Sequence, residues 1–123
     1  MTIPADHTAL RAHAGGIHAL EAATELIIRH AVWLRRSDFT AVFIDTSPGT
    51  RTAASLAWVD WQAATTALNN GDLPCASSEA SILRLAAGIA AGVSVDLRDA
   101  LTGLDVRNAH LVCAAVQHAT GHR

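Results

Sequence analysis

Seven histidines are the side chains in this 123-residue sequence with the widest chemical range, because imidazole binds metals and moves protons near neutral pH. His118 and His122 lie four residues apart, a spacing that can bind zinc from one helix face. Gly121 stands between them, however, and is expected to end the helix. The pattern therefore indicates surface or partly buried histidines, and we predict no metal site and no cofactor.

Nucleophilic and acid–base chemistry have few candidates. Cys113 lies in the most apolar segment, where a thiol is expected to be inert packing, and Cys75 lies beside a loop without an evident partner. Asp96, Asp99 and Asp105 form an acidic cluster, but each has a simpler role near a helix N-terminus. We assign no catalytic residues, and we expect a protein that is not an enzyme.

Residues 95–117 have the outline of a helix-turn-helix, a short helix and a longer one joined by a turn. The second helix would offer Arg107, Asn108 and His110 to a nucleic acid. The formal net charge of −2 argues against a general nucleic-acid binder, which normally carries a basic patch. A DNA-binding regulator is therefore an alternative hypothesis that we do not favour.

The clearest periodicity runs from Ile17 to about Arg36, where apolar and small residues are spaced alternately by three and four positions. These residues are Ile17, Leu20, Thr24, Ile27, Ala31 and Leu34. This heptad spacing is typical of packed helices. Packing inside one chain is the default interpretation, and the alternative is a contact between copies of the chain through Leu20, Ile27 and Leu34.

Trp58 and Trp61 lie three residues apart in a segment that is predicted to be helical, so they would share one helix face. Tryptophan is enriched among the residues that dominate protein–protein interfaces, and it is also a large core residue. Core packing is again the default interpretation, with a partner-binding surface as the alternative.

Helical periodicity and capping residues predict an all-α fold, a compact bundle of five to seven helices in a single domain over residues 1–123. We expect the last helix to be central to the core, because it is apolar over most of its circumference. The predicted helices are 4–14 (opened by Pro4), 17–36, a short one within 37–47, 52–68, 77–91, 97–102 (capped by Asp96) and 106–119 (capped by Asp105).

The segment from Ser37 to Ser47 is ambiguous, since Thr40 to Ile44 fits a strand as well as a helix. We favour a short helix capped by Ser37 or Asp38, because the sequence shows no second strand with which a first could pair.

Composition and terminal sequence indicate a cytoplasmic protein. The start of the chain lacks the basic and apolar regions of a signal peptide, and no apolar run is long enough to span a bilayer, so we expect no membrane association. Two cysteines do not make a disulfide framework. The chain has no lysine and is rich in alanine, which is typical of GC-rich coding DNA.

Four stretches resemble parts of small actinobacterial proteins of unknown function. They are Trp33–Phe39, Leu73–Glu79, Leu83–Ala87 and Val95–Asp105. The resemblance covers most of the chain and implies no activity, so no functional residue is transferred from it.

Our leading hypothesis from the sequence is a non-enzymatic helical protein-interaction or regulatory module, one that forms homo-oligomers or binds a protein partner. The helix-turn-helix regulator is one alternative. The other is a helical enzyme that binds a metal or a small ligand in a pocket between helices, which residue spacing would not reveal.

Overall fold

A computed structural model describes residues 7–122, and their secondary structure is mostly helical but not purely α. The strands are β1 (Ile44–Ser47) and β2 (Leu56–Val59), and one turn of 3₁₀ helix covers Trp33–Arg35. The helices are α1 (His7–Ala14), α2 (His18–His30), α3 (Ser37–Phe43), α4 (Trp61–Asn69), α5 (Ser77–Ala91), α6 (Leu97–Thr102) and α7 (Val106–Ala119). The helix predicted to open at Pro4 is thus described from His7 onward, and Pro4 lies outside the described residues.

The hairpin of β1 and β2 corrects the all-α prediction. The two strands pair antiparallel, from Ile44 opposite Val59 to Ser47 opposite Leu56. Residues 56–59 alternate between half-buried and buried side chains, as a strand does when one of its faces covers a core. Leucine, tryptophan and valine suit such a half-buried pleated surface, so the pairing outweighs the helical pattern that predicted a helix over 52–68.

The capping residues explain where three of the helices begin. Asp60 starts α4 by accepting a hydrogen bond from the backbone N–H of Ala63 (3.1 Å), well after the predicted start at Thr52. Asp96 and Asp105 cap α6 and α7 in the same way, which confirms both predicted caps. The short helix preferred within 37–47 is present as α3, without a side-chain cap from Ser37 or Asp38, but Ile44–Ser47 form β1. The expectation that no second strand exists is wrong, because β2 pairs with β1.

The long helix predicted over residues 17–36 is divided at Ala31. This residue adopts the left-handed conformation (φ 74°) and donates its N–H to the carbonyl of Ile27 at 3.0 Å, which ends α2 at His30. The 3₁₀ turn then changes the direction of the chain. The heptad pattern therefore does not lie on one helix, because Ala31 and Leu34 fall beyond its end.

The core surrounds α2, which packs mainly against α5 and α7 and also against α1. Trp33 is fully buried, and its indole N–H donates to the carbonyl of Glu79 at 3.0 Å, so its one polar group is satisfied. The largest fully buried side chains are Trp33, Phe39, Leu26, Ile27, Ile82 and Leu83. All the helices in the described part of the chain are too short or too polar to cross a bilayer.

The prediction that α7 is central to the core is wrong. Only Asn108, Val112 and Ala115 of this helix are buried, and Val106 and Val116 are exposed. Much of its apolar character comes from alanines distributed around the helix, which need little burial. As a result α7 covers α2 with one face and leaves the other at the surface.

Candidate metal centre between α2 and α7

The carboxylate of Glu21 lies at the centre of a cluster of potential metal ligands. Its Oε1 atom is 3.0 Å from Nε2 of His118 and 3.5 Å from Nδ1 of His18. The three residues each offer a ligand atom within 4.8 Å of the other two. Glu21 and His118 are mostly buried, with side chains 16% exposed, whereas the His18 side chain is 56% exposed. The cluster therefore has a fixed inner pair and an outer histidine that solvent can reach.

Two turns bring these residues together. The turn between α1 and α2 places the N–H of Gly16 3.0 Å from Oε2 of Glu21, so the second carboxylate oxygen is held by the backbone. Gly16 has φ 94°, a conformation that favours glycine. The turn after α7 lies against the outer histidine, because a Cβ atom at Gly121 would lie 3.5 Å from the His18 ring.

The antiparallel pairing of α2 and α7 supplies the third ligand. Arg107, near the start of α7, donates from Nη2 to the carbonyl of Arg29 at the end of α2 (3.0 Å). At the other end of the pair, His118 near the end of α7 meets Glu21 in the first turn of α2. These two contacts fix the register between the helices and therefore the position of His118.

The spacing of the ligand atoms suits a small divalent ion. Zinc bonds of about 2.0–2.1 Å in a tetrahedral arrangement separate neighbouring ligand atoms by about 3.3 Å. The two distances to Oε1 of Glu21, 3.0 and 3.5 Å, lie on either side of this value. A metal ion would replace the proton in the contact between Nε2 of His118 and the carboxylate.

Two cavities adjoin the cluster, and both are lined by Glu25 and His118. The α1–α2 pocket has a volume of about 180 Å³, and the α2–α7 cleft has a volume of about 300 Å³. The pocket is lined by Arg11, Ala14, Glu21, Thr24, Glu25 and His118. The cleft is lined by Ala22, Glu25, Leu26, Arg29, Leu111, Ala114, Ala115, Gln117, His118 and His122. The ligand cluster thus adjoins space that water or a small molecule can enter.

Glu25 is already neutralised by an arginine of α1. Nε of Arg11 lies 2.6 Å from Oε1 of Glu25, and Nη2 lies 3.2 Å from Oε2. Glu25 raises the pKa of Arg11, first through this hydrogen bond and then through its charge. Arg29 approaches the same carboxylate only to 3.9 Å. Glu25 therefore belongs to a surface ion pair and is not part of the ligand cluster.

The structure places the predicted interaction residues mainly inside the chain. Ile27, Leu34 and Trp61 are buried in the core, and Leu20 is half-buried. Trp58 is half-buried on β2, where its ring stacks on His13 with 5.0 Å between ring centroids. The two tryptophans therefore do not share a helix face. These side chains form no common exposed surface, and packing within one chain accounts for them.

The three residues considered for nucleic-acid contact are also separated. Asn108 is buried and Arg107 is engaged with the Arg29 carbonyl, so only His110 remains on the exposed face of α7 without a described partner. A recognition helix needs several polar side chains free along one face.

A second buried histidine lies at the opposite end of the α2–α7 pair. His30 is 6% exposed, and its Nδ1 atom has no hydrogen-bond partner among the described residues; the same holds for Oδ1 of the buried Asn108. Burial, followed by the positive charge of Arg107, lowers the pKa of His30. Both effects favour the neutral form of His30.

The two cysteines lie apart from the ligand cluster. Cys113 is exposed on α7 rather than packed in the core, and Cys75 is half-buried. Burial, followed by the charge of Glu79, raises the pKa of the Cys75 thiol. A raised pKa disfavours the thiolate form, which is the reactive one.

Comparison with known proteins returns no relative. No protein-family model matches the chain, and no curated protein and no solved structure gives a significant match.

Sequence reasoning considered His118, but with His122 as its partner rather than with Glu21. His18 and Glu21 are three residues apart on a predicted helix, which is a spacing that places two ligands on one face. This spacing is the sequence signal that could have identified two of the three ligands. The third ligand is 97 residues away from Glu21 and could be found only once the helix pairing was known.

Proposed function

We propose that this chain binds a divalent transition-metal ion through His18, Glu21 and His118. Imidazole nitrogens and a carboxylate oxygen together suit zinc better than magnesium or calcium, which prefer oxygen ligands alone. The observation that carries the proposal is that one oxygen of Glu21 lies within 3.0 Å of Nε2 of His118 and 3.5 Å of Nδ1 of His18.

The ligand number supports a zinc site of the catalytic type. Structural zinc sites are usually closed by four protein ligands, whereas catalytic sites use three and keep a position for water or substrate. Glu21 and His118 also line the α1–α2 pocket, which gives that position room. A zinc ion in such a site typically lowers the pKa of its bound water to about 7. The proposal therefore favours the metal-binding helical alternative over the protein-interaction module.

Homo-oligomerisation and a regulatory role stay hypotheses, and the heptad pattern of residues 17–34 does not support a contact between copies of the chain. Ile27 and Leu34, on which a contact between copies would depend, are at most 6% exposed in the single chain. A contact between copies of the chain would need a different surface.

Zinc titration by calorimetry at pH 7.5 tests the proposed metal site. Because the exposed thiol of Cys113 could itself bind zinc, the titrations use the Cys113→Ser protein as the reference. We expect one zinc ion per chain. His118→Asn should weaken binding by more than about a hundredfold, since loss of a direct ligand exceeds the effect of losing an outer-shell partner.

The matched control is His110→Asn, the same substitution on the exposed face of the same helix. It should leave the zinc affinity unchanged. The proposal fails if the reference protein binds no zinc, or if the two asparagine variants lose affinity equally while both keep their helical circular-dichroism spectra.

A further inference from the structure

The α2–α7 cleft combines an apolar wall with charged and polar side chains, one of which, His118, also belongs to the ligand cluster. Half of its lining residues are alanine or leucine, contributed by both helices, and the other half are Glu25, Arg29, Gln117, His118 and His122. Its volume of about 300 Å³ is at the lower end of the range of about 300–1,000 Å³ that is typical of ligand pockets. An apolar surface with a few polar groups is the usual construction of a small-molecule site.

Arg29 is the positively charged residue of this cleft, and few contacts within the protein occupy its guanidinium. Its side chain is 60% exposed and reaches Glu25 only at 3.9 Å. It makes no side-chain hydrogen bond to any described residue, whereas Arg11 approaches both oxygens of Glu25. Arg11 holds both oxygens of Glu25 by hydrogen bonds, so the ion pair of Arg29 with Glu25 at 3.9 Å leaves the N–H donors of the Arg29 guanidinium available to a ligand.

We infer that the α2–α7 cleft binds a small aliphatic carboxylate. The guanidinium of Arg29 would donate to the carboxylate, in the paired geometry that arginine and carboxylate groups favour. The aliphatic chain would lie on Leu26, Leu111 and the neighbouring alanines. This inference goes beyond the proposed metal binding and does not require it, because the charge that attracts the ligand belongs to Arg29.

The apolar wall of the cleft favours a ligand with an aliphatic chain over a small anion such as acetate or phosphate. Acetate and inorganic phosphate would gain the contact with Arg29 but would leave Leu26 and Leu111 in water. Each buried CH₂ group adds favourable transfer free energy. Affinity should therefore rise from acetate through butanoate to hexanoate, and then level off when the chain fills the cleft.

The test is a calorimetric or NMR titration of the full chain with this carboxylate series at pH 7.5 in the presence of EDTA, which removes any metal. Hexanoate should bind, and hexanol should bind at least about tenfold more weakly because it lacks the charge that Arg29 recognises. Arg29→Gln should weaken hexanoate by a similar factor, whereas Arg35→Gln, an exposed arginine outside the cleft, should have no effect.

A second variant tests the position of the aliphatic chain without altering the charge. Ala114→Phe places a ring in the cleft from the exposed side of α7 and should block hexanoate binding while the fold is kept. The inference is overturned if hexanoate does not bind, if hexanol binds equally well, if Arg29→Gln binds as the wild type does, or if binding appears only when zinc replaces EDTA. A failure of zinc binding alone would overturn the metal site and leave this inference intact.

Discussion

Nε2 of His118 lies 3.0 Å from Oε1 of Glu21, although the two residues are 97 positions apart in the sequence. The contact joins the last turns of α7 to the first turn of α2. With His18 at 3.5 Å from the same oxygen, it forms the arrangement on which the proposed metal site depends. Both side chains of the pair are 16% exposed, so the contact is largely shielded from water.

Glu21→Gln should lower zinc affinity by more than about a hundredfold, because an amide is a poor zinc ligand where a carboxylate is a good one. Competition with a chromophoric zinc chelator measures the change. Glu25→Gln is the matched control, since Glu25 lies one helical turn from Glu21 and lines the α1–α2 pocket with it, but does not belong to the ligand cluster. Equal losses of zinc affinity in both variants would show that zinc responds only to the local negative charge and does not bind Glu21 directly.

The buried His30 should make the fold less stable in acid. Its pKa in the folded chain is lowered by burial and by Arg107, so below about pH 6.5 the unfolded chain binds a proton that the folded chain does not. Stability is therefore highest above this pH and falls as the pH drops towards the folded-state value. Urea unfolding between pH 7.5 and 5 should show a falling midpoint.

His30→Leu should flatten that pH dependence, because leucine does not titrate and is accepted in a buried position. His110→Leu, at an exposed position, should keep the slope of the wild type. If both variants retained the full slope, a group other than His30 would control the acid response.

Ile27→Ala should destabilise the fold by about 2–5 kcal/mol, the usual cost of emptying a fully buried aliphatic site, since Ile27 is 1% exposed. Urea unfolding measures the loss. Val42→Ala, at a residue that is 66% exposed, should change stability by less than about 0.5 kcal/mol. A folded Ile27→Ala protein of unchanged stability that dissociated from an oligomer would restore the contact between copies as an explanation of the heptad pattern.

Asp60→Ala should cost about 1 kcal/mol, because it removes the side chain that caps α4. Asp60→Ser should recover most of this loss, since a serine hydroxyl can accept the same hydrogen bond. Thermal unfolding of the three proteins makes the comparison. Equal stability of the alanine and serine variants would mean that α4 does not depend on a cap at this position.

The parts of the fold that could be predicted from sequence are those set by local contacts. Asp96 and Asp105 cap the helices they were expected to cap, and Gly92 ends α5 in a left-handed conformation (φ 66°). Each of these features depends on residues a few positions apart, so the sequence alone carries the signal.

The errors arise where partners distant in the chain decide the structure. Residues 56–59 fit a helical pattern, and only their pairing with residues 44–47 makes them a strand. The heptad pattern likewise continues past His30, but Ala31 ends the helix in a left-handed conformation that its own residue type does not favour.

The candidate site shows the same division. His18 and Glu21 are local to one helix and could have been paired from their spacing, whereas His118 enters the cluster through the antiparallel register of α2 and α7. The buried face of α7 could not be identified from sequence either, because alanines surround the helix and give little indication of which side packs. A site that combines two helices therefore becomes visible only in the folded chain.

The most direct measurement of the central claim is a crystal structure of the protein grown with zinc, with diffraction data collected on both sides of the zinc absorption edge. We predict one strong anomalous peak bonded to Nδ1 of His18, Oε1 of Glu21 and Nε2 of His118, at the usual zinc bond lengths of about 2.0–2.2 Å. A peak only at His122 or Cys113 would contradict the proposed site. So would a Glu21–His118 contact that holds no metal in crystals grown with excess zinc.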